Sequence, residues 1–267
     1  MQATAPQFGP LETRLMTWAQ MRGIERATSG EISKALRLDD TQCRKLLDRM
    51  NQKGLIVQLQ RGLYLIPAKL PPGGKWTPAP AVILRHLFVA KNGDWQETGA
   101  SAFHFHGLSE QIPNTTTVYN TLFSRRCKIA GLGFEMIKVT PSRMGAATVL
   151  ADRRVGTLGR VIMDAVFDSS RFGTLPRAYG WIRERLADES FLDELVACAI
   201  HYGDGPVRRR IGCALDLLDA GGKRSTRLRK SIPPFRSFIP LVPSDTRQGT
   251  TNKEWGIILN QTDWLHG

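Results

Sequence analysis

The chain has 267 residues, of which 42% are hydrophobic, and its 37 lysines and arginines outnumber 24 aspartates and glutamates to give a formal charge of +13. This length allows two domains, and the basic surplus favours polyanionic partners without indicating a fold. No stretch approaches the ~20 consecutive apolar residues of a membrane span, and the first residues lack a secretory signal pattern, so we expect a cytoplasmic protein with no membrane partner.

Two helices are predicted near the amino end. Apolar residues recur at three-and-four spacing from about Thr13 to Met21, and Gly23 follows as a stop signal. A second helix begins at Thr28, because Thr28 and Glu31 have the spacing of a capping box, in which each side chain satisfies a backbone N–H of the first turn.

A third helix is predicted from Asp39 or Asp40 to Lys53, where Gly54 ends it. Its apolar positions form one stripe, made by Cys43, Leu46, Leu47 and Met50. The opposite face is polar and largely basic, and a helix of this length spans roughly 20 Å, enough to cross a major groove about 12 Å wide. We therefore assign DNA contacts on this helix to Thr41, Gln42, Arg44, Lys45 and Arg49.

A β-hairpin is predicted to follow the third helix. Residues 55–59 and 63–66 are rich in strand formers, and the turn contains Arg61 and Gly62, where glycine tolerates a positive φ. Three helices and a hairpin are the pattern of a winged helix-turn-helix, with Arg61 at the wing tip to reach a phosphate or the minor groove. Two other interpretations stay open: the charged face is only a solvated surface, or the module binds protein.

A proline-rich connector separates two predicted domains. Prolines and glycines fill residues 67–80, where proline removes backbone donors and disfavours helix; they are Pro67, Pro71, Pro72, Gly73, Gly74, Pro78 and Pro80. We expect a winged-helix domain over residues 1–67, a semi-rigid linker over 68–80, and a larger mixed domain over 81–267. Trp76, inside the linker, is expected to dock on one domain. The predicted fold class is therefore α/β in the α+β sense.

The second domain is predicted to mix strands and helices. Strands are expected near residues 115–123 and 133–139, and extended segments near 233–243 and 254–260. Helices are expected near residues 82–88, 157–166, 175–186, 190–201 and 206–218. On the helix that Thr157 caps, Arg160 and Asp164 lie four residues apart, and we expect them to pair on its surface.

Further basic residues are concentrated outside the first domain. Three consecutive arginines are predicted to fan across the exposed side of the helix at 206–218, and more cations follow. This secondary basic patch consists of Arg208, Arg209, Arg210, Lys223, Arg224 and Arg227, with Arg229 and Lys230 beside it. A smaller group consists of Arg125, Arg126 and Lys128. We expect these residues to meet flanking DNA phosphates or an acidic partner protein; the alternative is that they only aid solubility.

The sequence offers little for catalysis or metal binding. The four cysteines, Cys43, Cys127, Cys198 and Cys213, have no paired spacing, so we expect reduced thiols. Three of them, Cys43, Cys198 and Cys213, lie in apolar helical segments and are expected in the core. His104 and His106 resemble a metal-binding pair, with His86 or Cys127 as a third ligand, but residues two apart on a helix diverge by about 200°. Because this stretch is predicted to be helical, we expect a structural histidine at position 106, no metal, no cofactor and no catalytic residue.

Several short motifs occur in a defined order along most of the chain. They are Arg61-Gly62-Leu63-Tyr64, Ser101-Ala102 with His106-Gly107-Leu108 and Ile112-Pro113, the Arg160 and Asp164 helix, Arg210-Ile211-Gly212 before Leu215, and Trp255-Gly256 with Asn260. In this order they resemble the AbiE-type antitoxins, also called type IV antitoxins, which are predicted regulators of viral-defence systems. The long proline-rich connector and the basic tail depart from the family's usual pattern.

This resemblance implies a protein with two roles. Antitoxins of this family repress their own operon by binding inverted repeats in double-stranded DNA through the winged helix, and their C-terminal domain is linked to neutralising a nucleotidyltransferase-like toxin. Carried onto this chain, the DNA contacts fall on the third-helix and wing residues given above, and Ser101, His106 and Gly107 receive no catalytic role. An alternative is a stand-alone transcriptional regulator that senses a small ligand in its second domain and has no toxin partner.

Overall fold

The structure is a computed structural model that describes residues 8–71 and 74–266, so the predicted linker residues Pro72 and Gly73 lie outside the described residues, as do positions 1–7 and 267 of the predicted domains. The chain forms two compact units. Unit 1 comprises Met1–Asp94 and Arg125–Glu135, and unit 2 comprises Trp95–Ser124 and Met136–Gly267. Helices and small sheets are mixed along the chain, which confirms the predicted α+β fold class.

The helices and strands fall into two groups in chain order, from residue 10 to 138 and from residue 147 to 259. The first contains α1 (Pro10–Met21), β1 (Arg26–Thr28), α2 (Ser29–Leu36), α3 (Asp40–Gln52), β2 (Val57–Gln60), β3 (Leu63–Leu65), α4 (Pro80–Val89), β4 (Trp95–Glu97), α5 (Gly99–Phe105), β5 (Thr115–Asn120), β6 (Arg125–Ile129) and β7 (Leu132–Lys138). The second contains β8 (Ala147–Leu150), β9 (Arg153–Gly156), α6 (Leu158–Phe167), α7 (Ser169–Phe172), α8 (Arg177–Arg183), α9 (Glu189–Tyr202), α10 (Gly205–Leu217), α11 (Lys223–Lys230), β10 (Ile239–Pro240), β11 (Thr250–Asn252) and β12 (Ile257–Leu259). Within residues 8–71 and 74–266, every helix is too short or too polar to cross a membrane.

Unit 1 packs three helices against a small antiparallel sheet. The strands lie in the order β1-β3-β2, so the predicted hairpin is present and gains a third strand, β1, that the sequence analysis did not predict. The apolar faces of all these elements meet in one core. Its fully or almost fully buried members include Leu15, Met16, Ala19, Ile32, Leu36, Cys43, Leu46, Leu47, Met50, Leu55, Ile56, Tyr64 and Ile66.

Local capping explains where the three helices begin and end. The predicted capping box is present on α2, where the Glu31 N–H donates to Thr28 Oγ1 at 3.2 Å and the Thr28 N–H donates to Glu31 Oε2 at 2.6 Å. At the end of α3, Gly54 takes a positive φ of 70°. The Gly54 and Leu55 N–H groups then donate back to the carbonyls of Asn51 and Met50, so the last turn of α3 leaves few carbonyls unpaired.

A buried carboxylate joins α1 to α3. The helix α1 begins at Pro10, three residues before the predicted start, and this brings Glu12 into its first turn. The Glu12 residue is only 1% exposed, and its oxygens accept hydrogen bonds from the Gly9 N–H at 3.0 Å, Arg49 Nε at 2.8 Å and Lys53 Nζ at 2.9 Å. Burial raises the pKa of Glu12, but the bonds from Gly9, Lys53 and Arg49 outweigh it and the pKa lies below 4.5.

The connector after β3 is part of unit 1 and does not lie between the two units. The Trp76 N–H donates to the Gly54 carbonyl at 2.8 Å, so this tryptophan docks at the end of α3. The following helix α4 is also held on unit 1, since Arg26 Nη1 donates to the His86 carbonyl at 3.3 Å. Because these hydrogen bonds hold the connector and α4 on unit 1, the first break between the units comes after Asp94 and not at the predicted connector over residues 67–80. Residues 125–135, predicted to belong to the second domain, also lie in unit 1.

Unit 2 is built around the buried helix α6. Strands β5-β4-β9-β8 pair in that order, with β4 parallel to β9 and the other pairs antiparallel. The helices α6, α8, α9 and α10 supply most of the core, and each lies within two to three residues of its predicted range, except that α8 is shorter. A small sheet, β10-β12-β11, closes the chain. Helix α11 was not predicted, because five of its eight residues are basic and Leu228 is its one apolar residue, so it has no apolar stripe.

The Arg160–Asp164 pair is not on the surface, and this prediction is corrected. Both residues are 0% exposed, and Arg160 Nε lies 3.0 Å from both carboxylate oxygens of Asp164. Arg143 and Thr98 donate to the same carboxylate at 3.2 Å, while the remaining Arg160 nitrogens donate to the carbonyls of Arg143 and Gly145. The spacing of four residues predicted the pair correctly; the burial arises because α6 is covered by other elements.

We expect Glu12→Gln to destabilise the protein by about 1–3 kcal/mol at neutral pH, because the variant loses charge-assisted hydrogen bonds. The folded-state pKa of Glu12 is lowered from 4.5, so its ion pairs stabilise the protein above that pH and their contribution is lost as the pH falls below it. Thermal unfolding of both proteins as a function of pH should show melting temperatures that converge in acid. Glu110→Gln, at an exposed position, is the control; a constant gap at all pH values would contradict the role of Glu12.

Arg160→Met should cost about 3–5 kcal/mol of unfolding free energy, because it leaves the Asp164 carboxylate buried with fewer partners. The matched control Arg227→Met, at an exposed position, should change stability by less than about 1 kcal/mol. Chemical denaturation of the two variants measures both values. Equal, small losses would mean that the pair lies at the surface after all.

Candidate functional site

The N-terminus of α3 is fixed by its own side chains. The Gln42 N–H donates to Asp39 Oδ1 at 2.8 Å, and the Asp39 N–H donates to Gln42 Oε1 at 3.4 Å. This capping box starts the helix at Asp40. Gln42 was assigned from sequence to DNA contact. Because its amide oxygen accepts the capping hydrogen bond from Asp39, its NH₂ group is the part of the side chain that can contact a partner.

The exposed face of α3 is the polar face that the sequence predicts, and its centre lies opposite the buried stripe. The buried stripe is the predicted one, formed by Cys43, Leu46, Leu47 and Met50. At 100° per residue, the positions that point directly away from this stripe are Thr41, Lys45, Asp48 and Gln52, and all four are exposed. Lys45 is the cation at the centre of this face. The negative charge of Asp48 beside it would repel a phosphate group placed there.

Arg49, assigned from sequence to DNA contact, has a structural role in unit 1. It lies on the flank of α3 that faces α1, and its Nε is held 2.8 Å from the buried Glu12 carboxylate. A carboxylate that is almost fully buried requires charged donors, and Arg49 and Lys53 are the ones that reach it. Because the Arg49 side chain is still 51% exposed, its outer nitrogens meet solvent, but its position is set by the fold.

Arg44 and Arg61 lie on the opposite flank and line one groove of about 410 Å³ together with Asp40, Asp48 and Tyr64. The groove runs between the start of α2, the side of α3 and the hairpin turn. The two arginines are exposed, and the two acidic residues balance their charge, so the groove is polar without a net charge from these four residues.

The hairpin turn that carries Arg61 is held rigidly at one side. Gly62 has a φ of 76°, as expected for the glycine of the turn, and its carbonyl accepts from the Ser29 N–H at 2.9 Å. This bond ties the turn to the first residue of α2. Arg61 therefore projects from a fixed point beside α3 rather than from a long free loop.

The secondary basic patch is largely not a surface patch, and this prediction is corrected. Arg209 is 4% exposed and donates to the Trp255 and Ser237 carbonyls at 2.7 and 2.8 Å. Arg208 donates to carbonyls at the end of α9, including Ile200 at 2.8 Å, and Arg210 Nε donates to the Pro240 carbonyl. These arginines are donors for carbonyls that the ends of other elements leave unpaired, which a helical wheel of α10 alone cannot show.

The later cations divide into paired and exposed residues. Arg224 bonds Glu189 and lies 2.8 Å from Asp193 Oδ1, so its predicted exposure is also corrected. Arg229 pairs with Glu254. Lys223, Arg227 and Lys230 are exposed on α11 and are what is left of the secondary patch. In the smaller predicted group, Arg126 pairs with Glu135 at 2.7 Å, and Lys128 is exposed.

The histidine and cysteine residues are placed as structural groups. His104 lies in α5 and His106 caps its end, with His106 Nε2 2.7 Å from the Gly156 carbonyl. Burial lowers the pKa of His106, despite the opposite effect of this hydrogen bond. All four cysteines are free thiols, and Cys43, Cys198 and Cys213 are buried as predicted. Across residues 8–71 and 74–266, histidine, cysteine and acidic side chains form no cluster with metal-binding geometry.

The residue that sequence reasoning missed is Glu12. It lies on the same helix face as Leu15, Met16 and Ala19, at three, four and seven residues. An acid on an apolar stripe is the signal that could have predicted its burial, and with it the pairing of Arg49 and Lys53.

No protein-family model matches the chain, and no curated protein does either. Among solved structures, the crystal structure of the RV2827C protein from Mycobacterium tuberculosis is similar, with a TM-score of 0.63 and 14% sequence identity over 96% of this chain and 93% of that chain. At this identity the likeness concerns the fold alone. The resemblance to AbiE-type antitoxins stays a prediction.

Proposed function

We propose that this protein is a DNA-binding transcriptional repressor whose unit 1 acts as a winged helix-turn-helix. The observation that carries the proposal is the order α1-β1-α2-α3-β2-β3, with the hairpin pinned beside an exposed and capped α3. A helix of 13 residues is about 20 Å long, which suits a major groove about 12 Å wide.

The contacts fall on two surfaces of unit 1. Thr41, Lys45 and Gln52 on the outer face of α3 enter the groove, and Arg44 reaches a base edge or phosphate from its flank. Arg61 on the wing contacts a phosphate. Asp48 restricts the register, because it disfavours any alignment that places a phosphate over the middle of α3. The formal charge of +13 supports attraction to DNA at long range.

We further propose, on the resemblance to AbiE-type antitoxins, that the protein represses its own operon and counters a nucleotidyltransferase-like toxin. Co-expression with the product of an adjacent nucleotidyltransferase-like reading frame tests this role, and a stable complex with restored growth is the expected result. Lack of both would remove the toxin-neutralising role and leave DNA binding standing.

Footprinting of the purified protein on the region upstream of its own reading frame is the direct test of DNA binding. We expect protection of a repeated sequence, and a Kd that rises steeply with salt, because each phosphate contact contributes about 0.9 to the slope of log Kd against log salt concentration. Absence of a protected site, with binding no tighter than to random duplex, would contradict the repressor.

Among single variants, Arg44→Ala should weaken operator binding by about 1–3 kcal/mol if it reads a base, with an unchanged melting temperature. Arg61→Ala should weaken binding to all duplexes alike, because phosphate contacts carry no sequence information.

Arg49→Ala is the contrasting variant: we expect it to lower the melting temperature, since it leaves Glu12 with one fewer cationic partner. Fluorescence anisotropy and thermal unfolding separate these effects. Equal affinity for wild type, Arg44→Ala and Arg61→Ala would remove this assignment.

A further inference from the structure

Besides the groove at Arg44 and Arg61, unit 1 has a second concavity, which lies at the C-terminal end of α3 and is basic. It has a volume of about 510 Å³ and is lined by Gln52, Lys75, Trp76, Thr77, Lys128 and the turn at Ala130 and Gly131, among others. Its residues come from three separate segments of the chain, namely the end of α3, the connector, and the hairpin of β6 and β7. These segments are far apart in the sequence, and their spacing does not predict that they meet.

The charge of this concavity differs from that of the groove at Arg44 and Arg61. The groove includes Asp40 and Asp48, whereas the described residues lining the second concavity include Lys75 and Lys128 and no acid. Both lysines are exposed, and neither has an ion pair within the described part of the chain. Of the two sites, the second is the one with a net positive charge.

The C-terminus of α3 repels an anion in the concavity less strongly than a helix terminus with unpaired carbonyls would. A helix C-terminus carries a partial negative charge on its unpaired carbonyls. Here the Asn51 and Met50 carbonyls accept from Gly54 and Leu55, and the Gly54 carbonyl accepts from Trp76. Gln52, Thr77 and the two lysines are among the polar side chains that line the concavity.

The concavity is continuous with the proposed DNA-binding face. Gln52 lines the concavity and also lies on the outer face of α3, seven residues after Lys45. Seven residues of helix correspond to about 10 Å along its axis, so a duplex that contacts Lys45 extends over the concavity. The β6 end of the hairpin belongs to unit 1, so Lys128 is carried by the same unit as α3.

We propose that this concavity binds a backbone phosphate of the same duplex, and that the turn between β6 and β7 acts as a second wing that carries Lys128. This inference rests on the proposed function. Lys75 and Lys128 then supply sequence-independent contacts outside the bases read by α3, and lengthen the protected site on one side.

The test compares Lys75→Ala/Lys128→Ala with the control Arg22→Ala/Lys69→Ala, which removes the same charge from exposed positions of unit 1 outside the concavity. Each protein is titrated by anisotropy, over a range of salt, with a duplex that holds the footprinted site and its flanks and with a duplex trimmed on one flank. We expect the concavity variant to bind the long duplex on the order of tenfold or more weakly, with a salt slope lower by about 0.9, the contribution of one phosphate contact.

The trimmed duplex makes the test specific. Trimming the flank that the concavity contacts should weaken the wild type and the control but not the concavity variant, because both changes remove the same contact. If the wild type binds its site and the concavity variant behaves like the control, the second wing is wrong and the repressor stands. If the wild type shows no specific binding, the proposed function fails and this inference with it. Binding of ATP that the lysine variant abolishes, with DNA affinity unchanged, would assign the concavity to a free anion and overturn the proposal.

Discussion

The Glu12 carboxylate is the constraint on which the arrangement of unit 1 depends. It is buried at the junction of α1 and α3, and a buried carboxylate must be neutralised and hydrogen-bonded. Arg49 near the end of α3 and Lys53 directly after the helix donate to this carboxylate. Together with the buried stripe of α3, these contacts fix the rotation of the helix, which leaves Thr41, Lys45, Asp48 and Gln52 facing outward and Arg44 towards the hairpin.

Buried and half-buried arginines also donate hydrogen bonds inside unit 2, to a carboxylate and to backbone carbonyls. Arg160 is held between a buried carboxylate and two carbonyls, and Arg208 and Arg209 donate to carbonyls at the ends of other elements. The guanidinium group has five N–H donors in a rigid plane, which suits several carbonyls at once. The number of lysines and arginines therefore overstates how many cationic side chains are free to contact a partner.

For function, the cations that stay exposed matter more than the total. In unit 1 they include Arg44 and Lys45 on α3, Arg61 on the hairpin turn, and Lys75 and Lys128 around the concavity. Of the secondary basic patch in unit 2, Lys223 and Arg227 stay exposed on α11, with Lys230 beside them. The proposed DNA-binding surface of unit 1 therefore keeps its exposed cations, whereas the patch on α10 and α11 is much smaller than the sequence indicated.

The sequence by itself determined the local elements: the capping box at Thr28, the stripe from Cys43 to Met50, the end of α3 at Gly54, and the hairpin turn at Gly62. Each depends on residues within a few positions of one another, so spacing is sufficient to predict it. Only the tertiary structure decided which charges are available. The burial of Glu12 and Arg160, and the position of Lys75 and Lys128 around one concavity, depend on segments distant in sequence. Periodicity within one helix carries no information about what covers that helix.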